Sequence, residues 1–584
     1  MKDQRSGSQI LYGFLPQQTA DLKGGIWRTT EWKDPRPVDV DDSIIRARLI
    51  AELQGWVAHG MDPGAVNFLR SGGAVEVVAV NPERGVRVER FPQVWVCRIC
   101  RRVETGAVKA CVCGNNRWQQ LHFVGFHDCG LLEQPVIPTC REHHQVRMPH
   151  QSSMDASRIR FECPVCHREI QRGFGFRKCP CGRRYSDARN SENLRYNVHR
   201  SASVYTPQTF TQINPASRAA MRRVTESGGP RRALLWALGG FEDAEPGSGR
   251  QTQSAIVDQL VASGFTRAVA EQMAAVASAA GELGAEEDLG ALANAHVDQI
   301  EAAEREAVDV ALAATDKDSR RRIEDLITPS TPSDALTRYR HDYPTALRRA
   351  GLAGVDLFTD FPVLKAVYGY TRGSGEPGAS RLSLYTGKSG RRVYADLRAT
   401  EALFFRLDPL LVHAALLGRG HVLPDVADAR EARAVLAAGV NPPSRFSDPE
   451  DADPLGRDLL TLIHSYAHRA IRQLAVFAGV DREGLGEYLV PRHNGFFVFA
   501  ASRGDFVLGG LQAVFENDLH LLLATIAGAE SRCAMDPACE RNGGACHACL
   551  HLGEPACDHF NRFLSRTALF GPDGFIAKAA HPMP

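Results

Sequence analysis

The chain has 584 residues, of which 44% are hydrophobic, and a formal net charge of +1. The length exceeds what one hydrophobic core can organise and predicts about three to five domains. The near-zero charge excludes a polycation, so any nucleic-acid affinity must come from local basic patches.

In chain order, residues 1–95 mix short apolar alternations with turn signals. Val75, Val77, Val78 and Val80, then Val86 and Val88, predict a hairpin around Asn81–Gly85. Residues 96–215 hold ten cysteines and most of the clustered basic residues. Residues 216–350 turn rich in Ala, Glu, Asp and Arg, and Ala268–Asp316 predicts one or two amphipathic helices acting as a solvated connector. Residues 351–584 return to strand signals at Val367–Gly373, Arg381–Gly387 and Arg391–Leu397. A helix follows on Leu459, Leu460, Leu462, Ile463, Ala467, Ile471 and Leu474, then a strand at Gly495–Ala501 and a helix at Leu511–Ile526. The fold expected is α+β and multidomain: an N-terminal β-containing region, a double zinc-ribbon region, a helical middle and a C-terminal α/β zinc-binding domain.

The N-terminus lacks the charged-then-apolar pattern of a signal peptide. No apolar run approaches the roughly 20 residues that span a bilayer, and Leu519–Ala529 reaches about half that. A cytosolic protein is therefore expected, whose 15 cysteines serve as metal ligands and not as disulfides.

The spacing of those cysteines supports this. Cys97 and Cys100 are followed after ten residues by Cys111 and Cys113; Cys163 and Cys166 are followed after twelve by Cys179 and Cys181. Each set offers four thiolates from two tight loops, the donor set of a zinc ribbon, with Gly114 and Gly182 where a left-handed residue is needed. A closed four-cysteine site leaves no position for water, so these sites are expected to be structural. Between them His127, Cys129, Cys140 and His143 form a looser set, with His122 and His144 nearby; it is a candidate third metal site. At the C-terminus Cys546 and Cys549 form a firm knuckle, completed by Cys539 and Cys557, with Cys533 spare. About three zinc ions are expected in all.

Around the second set stand Arg168, Arg172, Arg177, Lys178, Arg183, Arg184, Arg189, Arg195 and Arg200, interleaved with Phe174, Phe176, Tyr185 and Tyr196. Arginines for phosphate and aromatics for base stacking suit a nucleic acid that is single-stranded or has a single-stranded end. Arg172, Lys178, Arg183 and Arg184 are the candidate contacts, although a solvated basic face reads the same way.

Catalytic motifs are lacking. The Gly387-Lys388-Ser389 tripeptide has Leu382 where a phosphate loop needs its first glycine, which argues against a motor. His464-Ser-Tyr-Ala-His468 puts two histidines on one helix face, but Ser465 stands where a zinc protease needs its glutamate, so helix packing or a polar contact to the zinc domain is expected. The alternative is a metal-dependent nuclease built on the His127/Cys129/Cys140/His143 set; a further one is an assembly scaffold without DNA contact.

The C-terminal third resembles the zinc-binding domain of MrfA-type DNA-repair helicases. The residues that carry this are the His464–His468 helix, the Gly509-Gly510-Leu511 turn, and Gly544–Leu550 followed by Cys557 and Asn561–Leu564. Phe91–Cys100, Leu121–Gly130, Asn197–Pro215 and Val367–Gly373 are similar to the DrmB family of the DISARM anti-phage system. The chain departs from that family in lacking a Gly-Pro-Gly turn near its start and in its His127-Asp128-Cys129 stretch. The resemblance implies a non-catalytic subunit that binds DNA, partners a superfamily-two (DrmA-like) helicase and places metal on Cys539, Cys546, Cys549 and Cys557.

Overall fold

The computed structural model describes residues 5–150, 155–185, 191–226, 228–241, 256–257, 260–261, 263–279, 292, 295–314, 319–501, 509–528, 532–553, 556–571 and 573–580. Arg189, Ala529, Asp316 and the stretch 280–291 of the expected connector lie outside them. The architecture is α+β and multidomain, and it divides into two compact units: Met1–Phe210 with Lys365–Leu397, and Thr211–Leu364 with Arg398–Pro584. The unit boundaries cut across the expected stretches 96–215, at Phe210/Thr211, and 351–584, at Lys365–Leu397.

In the first unit, Thr19–Leu22, Gly25–Trp32 and Val86–Arg90 form an antiparallel sheet. Both valine-rich strands expected around Asn81 form, at Val75–Ala79 and Val86–Arg90, but they do not pair with each other. Val86–Arg90 pairs with Gly25–Trp32, whereas Val75–Ala79 runs parallel to Arg391–Tyr394. Burial explains the split. Val75, Val77 and Val78 are buried, and the Val86 strand keeps Arg87, Glu89 and Arg90 in solvent, so the two segments suit different environments. Trp32, Tyr205, Tyr370, Tyr385 and Tyr394 pack together as an aromatic core. Beside it Arg372 is wholly buried, and its guanidinium donates to the carbonyls of Gly130 (2.9 Å), Val204 (2.5 Å) and Gln17 (3.0 Å). Three carbonyl acceptors and two flanking tyrosine rings offset the desolvation of this cation.

In the second unit, Gly495–Ala500 pairs antiparallel with Ala402–Arg406 on one side and with Leu485–Val490 on the other. One face carries stacked Phe404 and Phe497, with ring centroids 4.3 Å apart. Against this sheet packs the helix Pro454–Phe477. It starts cleanly, with Pro454 in the first turn and the Asp453 carboxylate accepting from Gly456 N–H at 2.7 Å. Leu459, Leu460, Leu462, Ile463, Ala467, Ile471 and Leu474 are all buried, as their spacing predicts. The expected Leu511–Ile526 helix runs from Gly510 to Ala527 with a π-turn at Val514–Asp518. The Glu401 carboxylate accepts from the N–H groups of Gly509, Leu511 and Gln512 at its start. The helical expectation for the middle holds over Arg267–Ala279 and Val297–Ala314. Among the described residues no helix is long and apolar enough to cross a membrane.

Candidate metal centres

Among the described residues, five groups of Cys, His and Glu side chains bring their ligand atoms within 4.8 Å of one another. Three of these groups lie in the first unit and are built from short two-ligand knuckles. Cys97/Cys100, Cys140/His143 and Cys163/Cys166 are wide knuckles, with two residues between ligands. Cys111/Cys113, His127/Cys129 and Cys179/Cys181 are narrow, with one.

The backbone repeats at each. In the wide knuckles the first ligand's N–H donates to the carbonyl five residues on, that of Arg102, Gln145 or Arg168. The residue after the second ligand has positive φ at all six: Arg101 63°, Gly114 80°, Gly130 96°, His144 53°, His167 56° and Gly182 62°. In each case its N–H bonds back to the first ligand's carbonyl. This left-handed residue reverses the chain and leaves both ligand side chains facing one side.

The knuckles combine as Cys97/Cys100 with Cys111/Cys113, as expected from the spacing. The second expected ribbon is corrected. Cys163 and Cys166 meet Cys140 and His143, whereas Cys179 and Cys181 meet His127 and Cys129. The four looser candidates therefore do not form a centre of their own; they complete two. Strand pairing dictates this. The Arg147–Glu162 bridge lays the Cys140 segment beside the hairpin that carries Cys163. Arg195 pairs with Phe126, and Lys178 with Asn193, which returns Cys179 to His127. His122 and His144 belong to no group.

Distances identify what these groups suit. Metal–sulfur bonds of about 2.3 Å in a tetrahedron put sulfurs about 3.8 Å apart, and sulfur and imidazole nitrogen about 3.5 Å apart. Cys97–Cys113 measures 3.7 Å, Cys100–Cys111 3.4 Å, Cys129–Cys179 3.6 Å and Cys140–Cys166 3.9 Å. His143 Nδ1 lies 3.5 Å from Cys140 and 3.6 Å from Cys163, and His127 Nδ1 lies 3.5 Å from Cys181. His127 Nε2 faces the Ser191 carbonyl at 3.0 Å, so that nitrogen carries the proton and Nδ1 keeps its lone pair. Disulfides, at about 2.05 Å, are not formed.

The fourth group is Cys533, Cys539, Cys546 and Cys549, with Cys533–Cys546 at 3.5 Å and Cys539–Cys549 at 3.7 Å. The expected ligand Cys557 is replaced by Cys533. Asp536 explains why: its carboxylate accepts from Cys533 N–H and is clamped by Arg566, which folds the loop back onto Cys546. Cys557 instead joins His464, His468 and Glu487 in the fifth group. The His464–His468 pair is thus more than helix packing, and sequence reasoning missed Glu487 because a lone glutamate in a strand carries no spacing signal.

Thiols within a group titrate apart. Burial acts to raise Cys97, but the Asn115 amide and the Cys100 N–H bring it down to about 6. Burial pushes its neighbour Cys111 up to about 12. The N–H and ring of His143 bring Cys140 down to about 6; in the His127 group burial lifts Cys179 to about 12, whereas, against its burial, the Arg183 N–H brings Cys181 down. One thiolate is thus ready at neutral pH, and the last proton leaves only when a cation arrives.

The candidate DNA residues are exposed at the knuckles but largely paired. Arg172 meets Glu169, and Lys178 and Arg184 share Glu192. Of the interleaved aromatics, Phe174 and Tyr196 stack in the core and Tyr185 is half-buried, leaving Phe176, 87% exposed, as the available platform. Gly387-Lys388-Ser389 forms a strand-to-strand turn. Ser389 donates from its N–H and hydroxyl to Glu76, so a carboxylate sits where a phosphate loop would hold its ligand.

Among known proteins, a family described as a domain of unknown function, DUF8724, matches residues 6–206, the stretch that contains the first three groups. No curated protein matches the chain.

Proposed function

We propose that this chain is a zinc-organised accessory protein that binds DNA beside a superfamily-two helicase partner and has no motor of its own. The observation that carries the zinc reading is the set of sulfur–sulfur and sulfur–nitrogen separations at the four knuckle groups, which match the edges of a zinc–thiolate tetrahedron. Four ligands per group leave no open position, so the ions fold the loops and do no chemistry.

DNA binding rests on the exposed cations and Phe176 around the Cys179/Cys181 knuckle, and the helicase partner on the resemblance to the DrmB family. Exposed ion pairs such as Lys178–Glu192 are screened by solvent and weak, so a phosphate can take the carboxylate's place. The test is a salt titration of single-stranded DNA binding by the full chain, alone and with its helicase. Arg183→Ala with Arg184→Ala should weaken binding to all sequences and flatten the salt slope by about one unit for each phosphate left without its arginine, with metal content unchanged. An unaltered slope would remove this surface from the proposal; no DNA binding in either setting would remove the DNA role. Metal analysis that finds iron–sulfur absorbance would overturn the zinc assignment.

A further inference from the structure

The fifth group differs from the knuckles in position, burial and donor chemistry. Helix Pro454–Phe477 supplies His464 and His468, one turn apart on the same face, and strand Leu485–Val490 supplies Glu487. Cys557 comes from the C-terminal segment. All four side chains are at most 3% exposed.

Hydrogen bonds fix how the donors face. His464 Nδ1 points at the Phe563 carbonyl (3.3 Å) and His468 Nδ1 at the Leu550 carbonyl (2.9 Å). A carbonyl only accepts, so each Nδ1 carries a hydrogen and each Nε2 of the neutral ring presents a lone pair. Those lone pairs are aimed at a carboxylate oxygen: Glu487 Oε1 lies 3.1 Å from His464 Nε2 and 3.4 Å from His468 Nε2. Cys557 Sγ stands 3.3 Å from His464 Nε2 and accepts the N–H groups of His559 and Asn561, both at 3.3 Å. The chain wraps the sulfur through left-handed residues at Phe560, Asn561 and Phe563, each with φ 55°. The other Glu487 oxygen is buried and accepts no hydrogen bond among the described residues. Four electron-pair donors thus converge, which is repulsive unless protons or a cation lie between them.

We infer that His464, His468, Glu487 and Cys557 form a fifth, buried metal site that takes a borderline divalent cation of the zinc type and pins the C-terminal segment to the central helix. Bonds of about 2.0–2.1 Å to nitrogen or oxygen in a tetrahedron put those atoms about 3.3–3.4 Å apart, close to the separations here. The thiolate and imidazoles disfavour Mg2+ and Ca2+, which take oxygen ligands, and a single cysteine rules out an iron–sulfur cluster. A dication balances one carboxylate and one thiolate, so the buried cluster is neutral. The anchoring carbonyls of Leu550 and Phe563 belong to the same C-terminal segment as Cys557, so filling the site fastens that segment at Leu550, Cys557 and Phe563.

This inference is independent of the proposed DNA role, which metal counting does not touch. The test is metal counting on the full chain together with cobalt(II) reconstitution. Wild type should hold five equivalents, and His468→Gln and Glu487→Gln should each hold four. The cobalt difference spectrum between wild type and His468→Gln should carry the weak charge-transfer band of one thiolate, against the strong four-thiolate band in the difference between wild type and Cys549→Ser. Hydrogen exchange at residues 550–563 should rise in both fifth-site variants while the knuckle segments stay protected. Four equivalents in wild type with no further loss in His468→Gln would overturn the inference and mean that protons hold the cluster. Should a variant not fold, the wild-type count of five or four decides.

Discussion

The sulfur of Cys166 stands 3.9 Å from that of Cys140, 26 residues earlier in the chain. The expected partner Cys179 is instead 3.6 Å from Cys129. Cys140→Ser and Cys166→Ser should therefore act on one ion: each alone and both together lose one equivalent. Cys166→Ser with Cys181→Ser should lose two. Metal analysis of the four proteins checks this; two equivalents lost from the Cys140/Cys166 variant and one from the Cys166/Cys181 variant would restore the sequential ribbon.

The same logic separates the C-terminal cysteines. Cys533→Ser and Cys549→Ser should remove one shared equivalent, and adding Cys557→Ser should remove a second. If Cys533→Ser costs no metal while Cys557→Ser abolishes the knuckle's ion, the grouping at Asp536 is wrong.

Arg372 supports the Cys129 knuckle through the Gly130 carbonyl. Arg372→Lys keeps a charge but loses the fork that reaches three carbonyls, and stranded buried acceptors cost about 1–3 kcal/mol each. The variant should unfold at lower denaturant, by on the order of 3–5 kcal/mol. Chelator should also strip the His127/Cys129/Cys179/Cys181 ion faster while the Cys97 centre keeps its own. Equal release rates at the two centres would show that Arg372 does not brace the knuckle.

Glu76 gives an acid dependence. Its bond to Arg392 holds the carboxyl down at about 2 from an ordinary 4.5. A depressed folded pKa contributes stability that is complete above about 4.5 and lost as pH falls toward 2. For this partly solvated pair the contribution is on the order of 1–2 kcal/mol. Glu76→Gln should be less stable than wild type by that amount at pH 7, with the difference shrinking below pH 4.5. A constant difference across that range would mean that the ion pair contributes little.

Much of the second unit was legible in the sequence because its elements are long and periodic. Leu459 to Leu474 announced the central helix, and Gly495–Ala501 its neighbouring strand. The knuckles were legible as cysteines, but their partners were not. Spacing reads only neighbours, and the choice between Cys140 and Cys179 for Cys166 is made by strand pairing such as Arg195–Phe126. Glycine after a ligand flagged two turns, Gly114 and Gly182, and missed those where Arg101, His144 and His167 adopt the same left-handed backbone. The hairpin expected at Asn81 failed for the same reason: each strand found a better-suited partner far along the chain.

The pairing of the His127 and Cys179 knuckles encloses that of Cys140 and Cys163 along the chain, one parenthesis inside another. Joining Cys140 to Cys166 closes a 26-residue span, and joining Cys129 to Cys179 closes one of 50. Once the inner ion is bound, the outer span behaves as a shorter tether, and the entropy of closing it falls. The two ions should then load from the inside outward. On the ribosome, His127 and Cys129 emerge first and wait for partners about 50 residues behind, by which time the inner centre can already be complete. Residues 127–181 are thus a sequence in which the first donors made are among the last used.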